Sequence, residues 1–412
     1  MVARFSEVSL QQEERIGNSS GQLSGNGCGW LPDGKSRLAP WIAILAALIV
    51  WIASAASAAA ETIRVALLQQ AESVTLVSSQ GLVITSNGDE EFSNGRSLTI
   101  YAGSNGSGLI LDGRRVRADR VELRGRNGEI ILNGMTLPGR VIVTRQSNRL
   151  LVVNELDIEE YIKGVVPVEM NSSWHLEALK VQAIAARTYA VYQMRQVGKK
   201  DFDILNSTKD QVYRGRTGTN PSVLRAVEQT RNLILTYAGL PIFAAYSSTA
   251  AGTTEDAMNV WSMDLPYLKG VECPFDMDSP HYQWRTDVAL PHLERRLREE
   301  GFPVGIIASI DPASFSRSGR VAQVRILHSD GELFLRGEDL RRIVGYTVLS
   351  STMFDFEVAG LRIQFTGRGA GHGVGLCQWG AKVLAERGYS AETILDYYYP
   401  GTEIRTLTSL PR

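Results

Sequence analysis

Gly164-Val165-Val166-Pro167-Val168-Glu169-Met170, and the alanine-rich run at 173–194 behind it, decide how this chain is read. Leu176, Leu179, Ala183, Ala186 and Ala190 recur at the spacing of one helical face. Ser173 is placed to cap that helix, and Glu177 adds negative charge to its first turn. Lys180 and Arg187 fall two turns apart and project from nearly the same side. Cations on a helix of small, closely packed residues must find anionic or polar partners. Spacing alone leaves two readings open: structural ion pairs in a core helix, or cations lining a site beside Glu169.

The 412 residues, 44% apolar and 21% charged, describe a globular chain with room for two or more domains. A net charge of −1 argues against a general nucleic-acid binder. Residues 41–60 form an uncharged apolar run behind Lys35 and Arg37, ending in Ala58-Ala59-Ala60. A cleaved signal peptide and an uncleaved membrane anchor both fit it. Either places the remainder outside the cytoplasmic membrane, in the periplasm or cell envelope. The three cysteines, Cys28, Cys273 and Cys377, leave at most one intrachain bridge beyond that segment, so this is not a disulfide scaffold.

The expected fold class is α+β. Residues 61–147 alternate short apolar stretches with Gly/Asn/Asp turns and read as a small β-rich domain. Residues 148–405 form a larger mixed domain: a strand near 151–153, a short helical turn at 158–162, the long helix, a helix near 222–230 and a strand at 233–237. Residues 285–345 look like an inserted subdomain with a charged helix, a hairpin about Ser329-Asp330-Gly331 and a second short helix. Gly367-Arg368-Gly369-Ala370-Gly371 fails the spacing of a dinucleotide loop, and no G-x-S-x-G elbow appears. Close backbone packing around His372 is the better reading, with the histidine holding a loop in preference to moving protons.

Several segments, in order, resemble the SpoIID/LytB family (stage II sporulation protein D-like). They are 164–170, Ala178-Leu179-Lys180-Val181-Gln182-Ala183 with Ala185-Ala186-Arg187-Thr188-Tyr189, and Gln211-Val212-Tyr213. Ser248-Thr249-Ala250-Ala251-Gly252, Gly371-His372-Gly373-Val374-Gly375 and Tyr397-Tyr398-Tyr399-Pro400-Gly401 follow. The resemblance implies a SpoIID-type catalytic domain and a lytic transglycosylase acting on peptidoglycan glycan strands stripped of their peptide stems. It implies that the catalytic acid is Glu169, that Lys180 and Arg187 line the groove, and that no cofactor is needed for the chemistry. Tyr213, Ser248, Thr249, His372 and Tyr398 complete the expected substrate contacts, although the 397–399 tyrosines could equally close the core. Some relatives are instead enhancers of a separate cell-wall amidase, which is the alternative function and partner. This chain departs from the pattern at Asn171, where a proline is expected, and at Ser247, where many relatives have histidine.

One carboxyl group can suffice for such chemistry. Hydrolytic glycosidases need two, whereas a lytic transglycosylase uses the sugar's own C6 hydroxyl in place of water. Its single glutamate must start protonated, so burial should raise its pKa. The resemblance also implies a structural zinc in some members, and Cys273, Asp276, His281 and Cys377 would make a four-ligand set of suitable softness. A Cys273–Cys377 disulfide and two free thiols compete with that reading.

Overall fold

The computed structural model describes residues 61–103, 108–196, 201–216 and 220–409. The apolar run at 41–60, with its signal or anchor reading, lies outside the described residues, as does Cys28. Among the described residues no helix is long and apolar enough to cross a membrane.

Helices and strands mix, as an α+β chain requires. Two sheets occupy the N-terminal part. One has seven strands, in the order Ile204–Leu205, Thr62–Ala71, Arg149–Asp157, Arg140–Gln146, Arg120–Gly125, Leu82–Ser86 and Asp89–Ser93. The other has six, with Ser73–Val77 between Glu129–Leu132 and Ser97–Ala102. Strand Arg149–Asp157 is the hinge of the architecture. It pairs antiparallel with Thr62–Ala71 on one side and Arg140–Gln146 on the other, and its run of Leu and Val is buried on both faces. The division expected at 147/148 therefore runs between neighbouring strands of one sheet. A single apolar core extends from Ile63 to Leu407 and joins the sheets to the helices.

Asp157 ends that strand and caps the next helix, accepting from the backbone N–H of Glu159 at 2.8 Å and of Glu160 at 3.2 Å. The helix runs Ile158–Glu169, far beyond the turn expected at 158–162. Gly164 lies inside the helix because the ring of Tyr213 packs there; an added Cβ would lie 2.5 Å from it. Pro167 falls in the last turn, where its missing N–H costs a single bond. Glu169 is thus the final residue of one helix, not the lead-in to the next. The second helix, Leu176–Gln196, starts three residues after Ser173. His175 takes the capping place, its Nδ1 accepting from the Glu177 N–H at 3.3 Å. Ser173 is drawn instead to Asn171, whose Oδ1 accepts from both its N–H and its hydroxyl.

The insertion has its own core, from Val288 to Phe365. It reaches past 345 because the strand Arg362–Arg368 returns to pair with Gln283–Ala289 on one side and Phe354–Ala359 on the other, making a three-stranded sheet. A second three-stranded sheet, of Ile307–Phe315, Val321–His328 and Gly331–Arg336, completes it with the helices Leu290–Glu299 and Gly337–Val344.

Candidate active site

Glu169 is partly exposed at the C-terminal end of its helix. Burial of most of its surroundings raises its carboxyl above the ordinary 4.5, opposed by hydrogen bonds from the Val212 N–H and the Gln378 side chain. The Val212 N–H lies 3.3 Å from Oε1. The negative end of a helix dipole adds to the bias against ionisation, an effect of about 0.3–1 kcal/mol. A second carboxylate, Asp210, belongs to the same neighbourhood: its Oδ1 accepts from the Tyr189 hydroxyl at 2.8 Å, and its charge acts with that of Glu169 on Tyr161. Around it lies a fixed polar network. Tyr161 donates to Gln211 at 3.0 Å, and Gln211 bridges on to the Tyr246 hydroxyl at 3.0 Å and the Ala186 carbonyl at 3.3 Å. Burial first, then the charge of Glu169, push both tyrosine hydroxyls well up, so they remain neutral donors.

Sequence reading missed Gln378 and Gln182. Gln378 Nε2 lies 3.2 Å from Gln182 Oε1, and the buried Nε2 of Gln182 has no partner. Trp174, shortly after Glu169, meets Trp379, next to Gln378, edge to face at 5.1 Å, and both are partly exposed. Only three-dimensional closure puts these pairs together. Of the four, Gln182 alone lies within a family-like segment.

The other expected contacts scatter. Arg187 has 0% side-chain exposure and is held bidentate by Glu159, with Nε–Oε1 at 2.9 Å and Nη2–Oε2 at 2.6 Å. Its Nη1 donates to the Leu233 carbonyl at 3.0 Å. A groove cation needs accessible surface, so the reading of Arg187 as a sugar contact is corrected: it fastens two helices to the strand Leu233–Tyr237. Lys180 pairs with Glu177 at 2.7 Å, while Glu177 also accepts from the Ala391 N–H at 2.8 Å. Tyr213 is a core residue, donating to Asn154 Oδ1 at 3.2 Å. Thr249 is likewise buried, its hydroxyl 2.7 Å from that of Ser279. Ser248 is partly exposed, and its carbonyl accepts from the Trp379 N–H at 3.1 Å. Tyr398 is fully buried with its hydroxyl 3.2 Å from Cys273 Sγ. The buried Thr249, Tyr213 and Tyr398 offer no surface to a glycan.

His372 has both ring nitrogens engaged. Nδ1 accepts from the Val374 N–H at 3.0 Å, a backbone hydrogen bond with Tyr246 holds the ring further, and Trp261 lies 4.8 Å away. Burial, then the nearby Arg341 and Arg320, lower its pKa to about 3, with the Tyr246 contact opposing. It is a neutral loop fastener at ordinary pH. The glycines about it are obligatory: Gly373, at φ +78°, would put a Cβ 2.4 Å from Arg320 Nη2, and Gly375, at φ +71°, one 2.2 Å from the Ala245 carbonyl.

Cys273, Asp276 and Cys377 converge, one ligand atom from each within 4.8 Å of the others, and all three are buried. Both thiols are free. Asp276 Oδ2 accepts from the Ala251 N–H at 2.8 Å and lies 3.2 Å from Cys377 Sγ, while its buried Oδ1 has no partner. His281 is exposed and outside the group, so the four-ligand set loses its histidine. The two sulfurs and the orphaned carboxylate oxygen suit zinc and supply three of its usual four positions.

Comparison with known proteins bears on this arrangement. The family model described as Stage II sporulation protein (SpoIID) matches residues 146–237, which hold Glu169 and both helices. Stage II sporulation protein D of Bacillus subtilis is 33% identical over 282 residues, covering 65% of this chain and 79% of that protein. The chain belongs to the SpoIID/LytB family. An uncharacterized protein of Brachyspira hyodysenteriae is 34% identical over 307 residues, 74% of this chain and 82% of its own length. The Amidase enhancer of Bacillus subtilis is 34% identical over 293 residues, 60% of this chain but 40% of that larger protein. Residues 259–375 of this family member match a separate domain of unknown function, DUF8618, which takes in the insertion and its core.

Proposed function

We propose that the chain is a lytic transglycosylase that cleaves the glycan strands of peptidoglycan, with Glu169 as its single acid and base. The observation that carries this reading is Glu169 itself: partly exposed, ending a helix and raised in pKa by burial. Protonated Glu169 gives its proton to the glycosidic oxygen as the C1–O bond breaks. The C6 hydroxyl of the same sugar then bonds to C1, and its proton returns to the carboxylate, closing a 1,6-anhydro ring and restoring the acid. The Val212 N–H and Gln378 steady the carboxylate between the two steps, and Trp174 and Trp379 offer apolar edges against which a pyranose ring can pack. Strands without peptide stems are the proposed substrate. Export past the membrane through residues 41–60 is part of the proposal, because that is where such strands lie.

A structural zinc held by Cys273, Asp276 and Cys377 is proposed beside this chemistry, not within it. It would tie the loop at 250–251 to the helix Gln378–Glu386 that carries Gln378. The resemblance to an Amidase enhancer supports a second reading, in which the chain binds the wall and stimulates a separate amidase without cutting glycan. Incubation with denuded glycan separates the two. Release of 1,6-anhydro ends by wild type but not by Glu169→Gln is expected of the enzyme, and binding without any such product supports the enhancer.

A further inference from the structure

An acid that must also act as a base takes two forms in one turnover, a hydroxyl donor and then a carboxylate acceptor. The polarity of the group beside it therefore matters. Beside Glu169 that group is the side-chain amide of Gln378. An amide offers N–H on one side and a carbonyl on the other, and its terminal torsion is broad and nearly two-fold. The backbone that carries it is fixed. Gln378 opens the helix Gln378–Glu386, where Cys377 Sγ accepts from the Gly380 N–H at 3.4 Å and the Trp379 N–H donates to the Ser248 carbonyl at 3.1 Å. A fixed backbone does not decide which side of the amide meets Glu169.

Gln182 makes that choice. It is 0% exposed in the helix Leu176–Gln196, and its Oε1 accepts from Gln378 Nε2 at 3.2 Å. With Nε2 drawn to that acceptor, Gln378 meets Glu169 as a donor. The penalty falls on Gln182 Nε2, a buried donor with no partner among the described residues. Turning the Gln182 amide over would not relieve it, because Nε2 would then meet Nε2. A buried donor left unpaired in this way points to an orientation held for something other than stability.

We propose that Gln182 is a positioning residue for the acid–base chemistry, acting only through Gln378, whose amide it fixes with the N–H towards Glu169. The proposal rests on the reading of Glu169 as acid and then base. A donor in that place favours the carboxylate, the form that must take the proton of the C6 hydroxyl, and so opposes the effect of burial. The other charged and titratable groups nearby are engaged elsewhere. Lys180 pairs with Glu177 and Lys382 with Glu386. Asp210 accepts from the Tyr189 hydroxyl and the Leu205 N–H, and the Tyr161 and Tyr246 hydroxyls both meet Gln211.

The test is Gln182→Met, which keeps the length and helix preference of the side chain and removes both amide atoms. The full chain, wild type and variant, is followed against pH by the carbon-13 carboxyl signal of Glu169, assigned with Glu169→Gln, and by release of 1,6-anhydro ends from denuded glycan. Without its anchor, Gln378 can turn its carbonyl to the protonated acid. The carboxyl midpoint and the alkaline limb of the cleavage profile should both move up by about one pH unit, the scale of one hydrogen bond to a charged group. Turnover should fall about tenfold with KM unchanged, because Gln182 is out of a substrate's reach. Thermal unfolding should come no earlier than in wild type, since an orphaned donor has been removed. A purely structural glutamine predicts the reverse, lower stability with the midpoint unmoved, and an unmoved midpoint overturns the proposal at any stability. A raised midpoint in protein that releases no anhydro ends refutes the transglycosylase reading and leaves the positioning of Gln378 standing; cleavage by wild type with an unmoved midpoint in the variant does the opposite.

Discussion

Glu159 and Arg187 form a bidentate ion pair that water does not reach, with side-chain exposures of 2% and 0%. Glu159 Oε1 also accepts from the Asn232 N–H at 3.0 Å, so one carboxylate binds two helices and a strand entry together. The consequence lies ten residues on: the helix it fixes is the one that ends in Glu169. Arg187→Ala should therefore cost about 3–5 kcal/mol, the usual penalty for stranding a buried charge. Arg187→Lys should recover only part, because a single ammonium cannot reproduce the fork. Denaturant unfolding reads both. A substrate contact would predict ordinary stability with a raised KM, and that outcome would restore Arg187 to the groove.

Glu169 gives a pH signature. With its folded pKa raised by burial, cleavage that needs the protonated acid should decline only as pH climbs through a value above the ordinary 4.5. Stability carries the same sign. The protonated carboxyl is preferred in the folded state, so its contribution is complete below the unfolded value and is lost as pH rises through the folded one. Glu169→Gln, which does not titrate, should be more stable than wild type at neutral pH, by about 1.4 kcal/mol for every tenfold by which burial weakens the acid. The advantage should shrink on acidification. A gap between the two melting curves that does not change with pH would show that the carboxyl is not perturbed.

The sequence made the long helix, the strand Leu233–Tyr237, the hairpin of the insertion and the candidacy of Glu169 legible through periodicity, turn residues and motif order. It misplaced the start of the helix Leu176–Gln196 because Asn171 draws Ser173 away and His175 caps instead. It broke the helix Ile158–Glu169 too early, since only the fold shows Tyr213 packed against Gly164. Arg187 and Lys180 project from related faces, but burial is a property of what packs on a helix, and no spacing reveals that Glu159 waits beneath one of them. Gln378 and Trp379 could not be associated with Glu169, because the approach depends on the closing of the fold over some two hundred residues of chain.

Arg320, in the insertion, reaches the loop at 250–253 and is 1% exposed. It donates to the carbonyls of Thr253 at 2.9 Å and Ala250 at 2.7 Å, beside Gly373. Gly373→Ala must both adopt φ +78° and displace that guanidinium. A loss of about 1–3 kcal/mol is expected, read by thermal unfolding. No change in stability would mean that the loop and the insertion are not locked together.

For the metal, zinc measured by elemental analysis on chelator-free protein should be stoichiometric in wild type and in His281→Ala. It should be lost in Cys273→Ser, Cys377→Ser and Asp276→Ala. Retention in Asp276→Ala would remove the carboxylate from the set, and a metal-free wild type would dismiss the site.

The central claim is that Glu169 alone performs the cut. Mass spectrometry of denuded glycan strands incubated with wild type and with Glu169→Gln, each verified as folded, tests it most directly. The account predicts 1,6-anhydromuramyl ends from wild type and a loss of about 10²–10⁴-fold in their rate of appearance from the variant, the range of a positioned general acid. Reducing ends in place of anhydro ends, or undiminished product from Glu169→Gln, would contradict it.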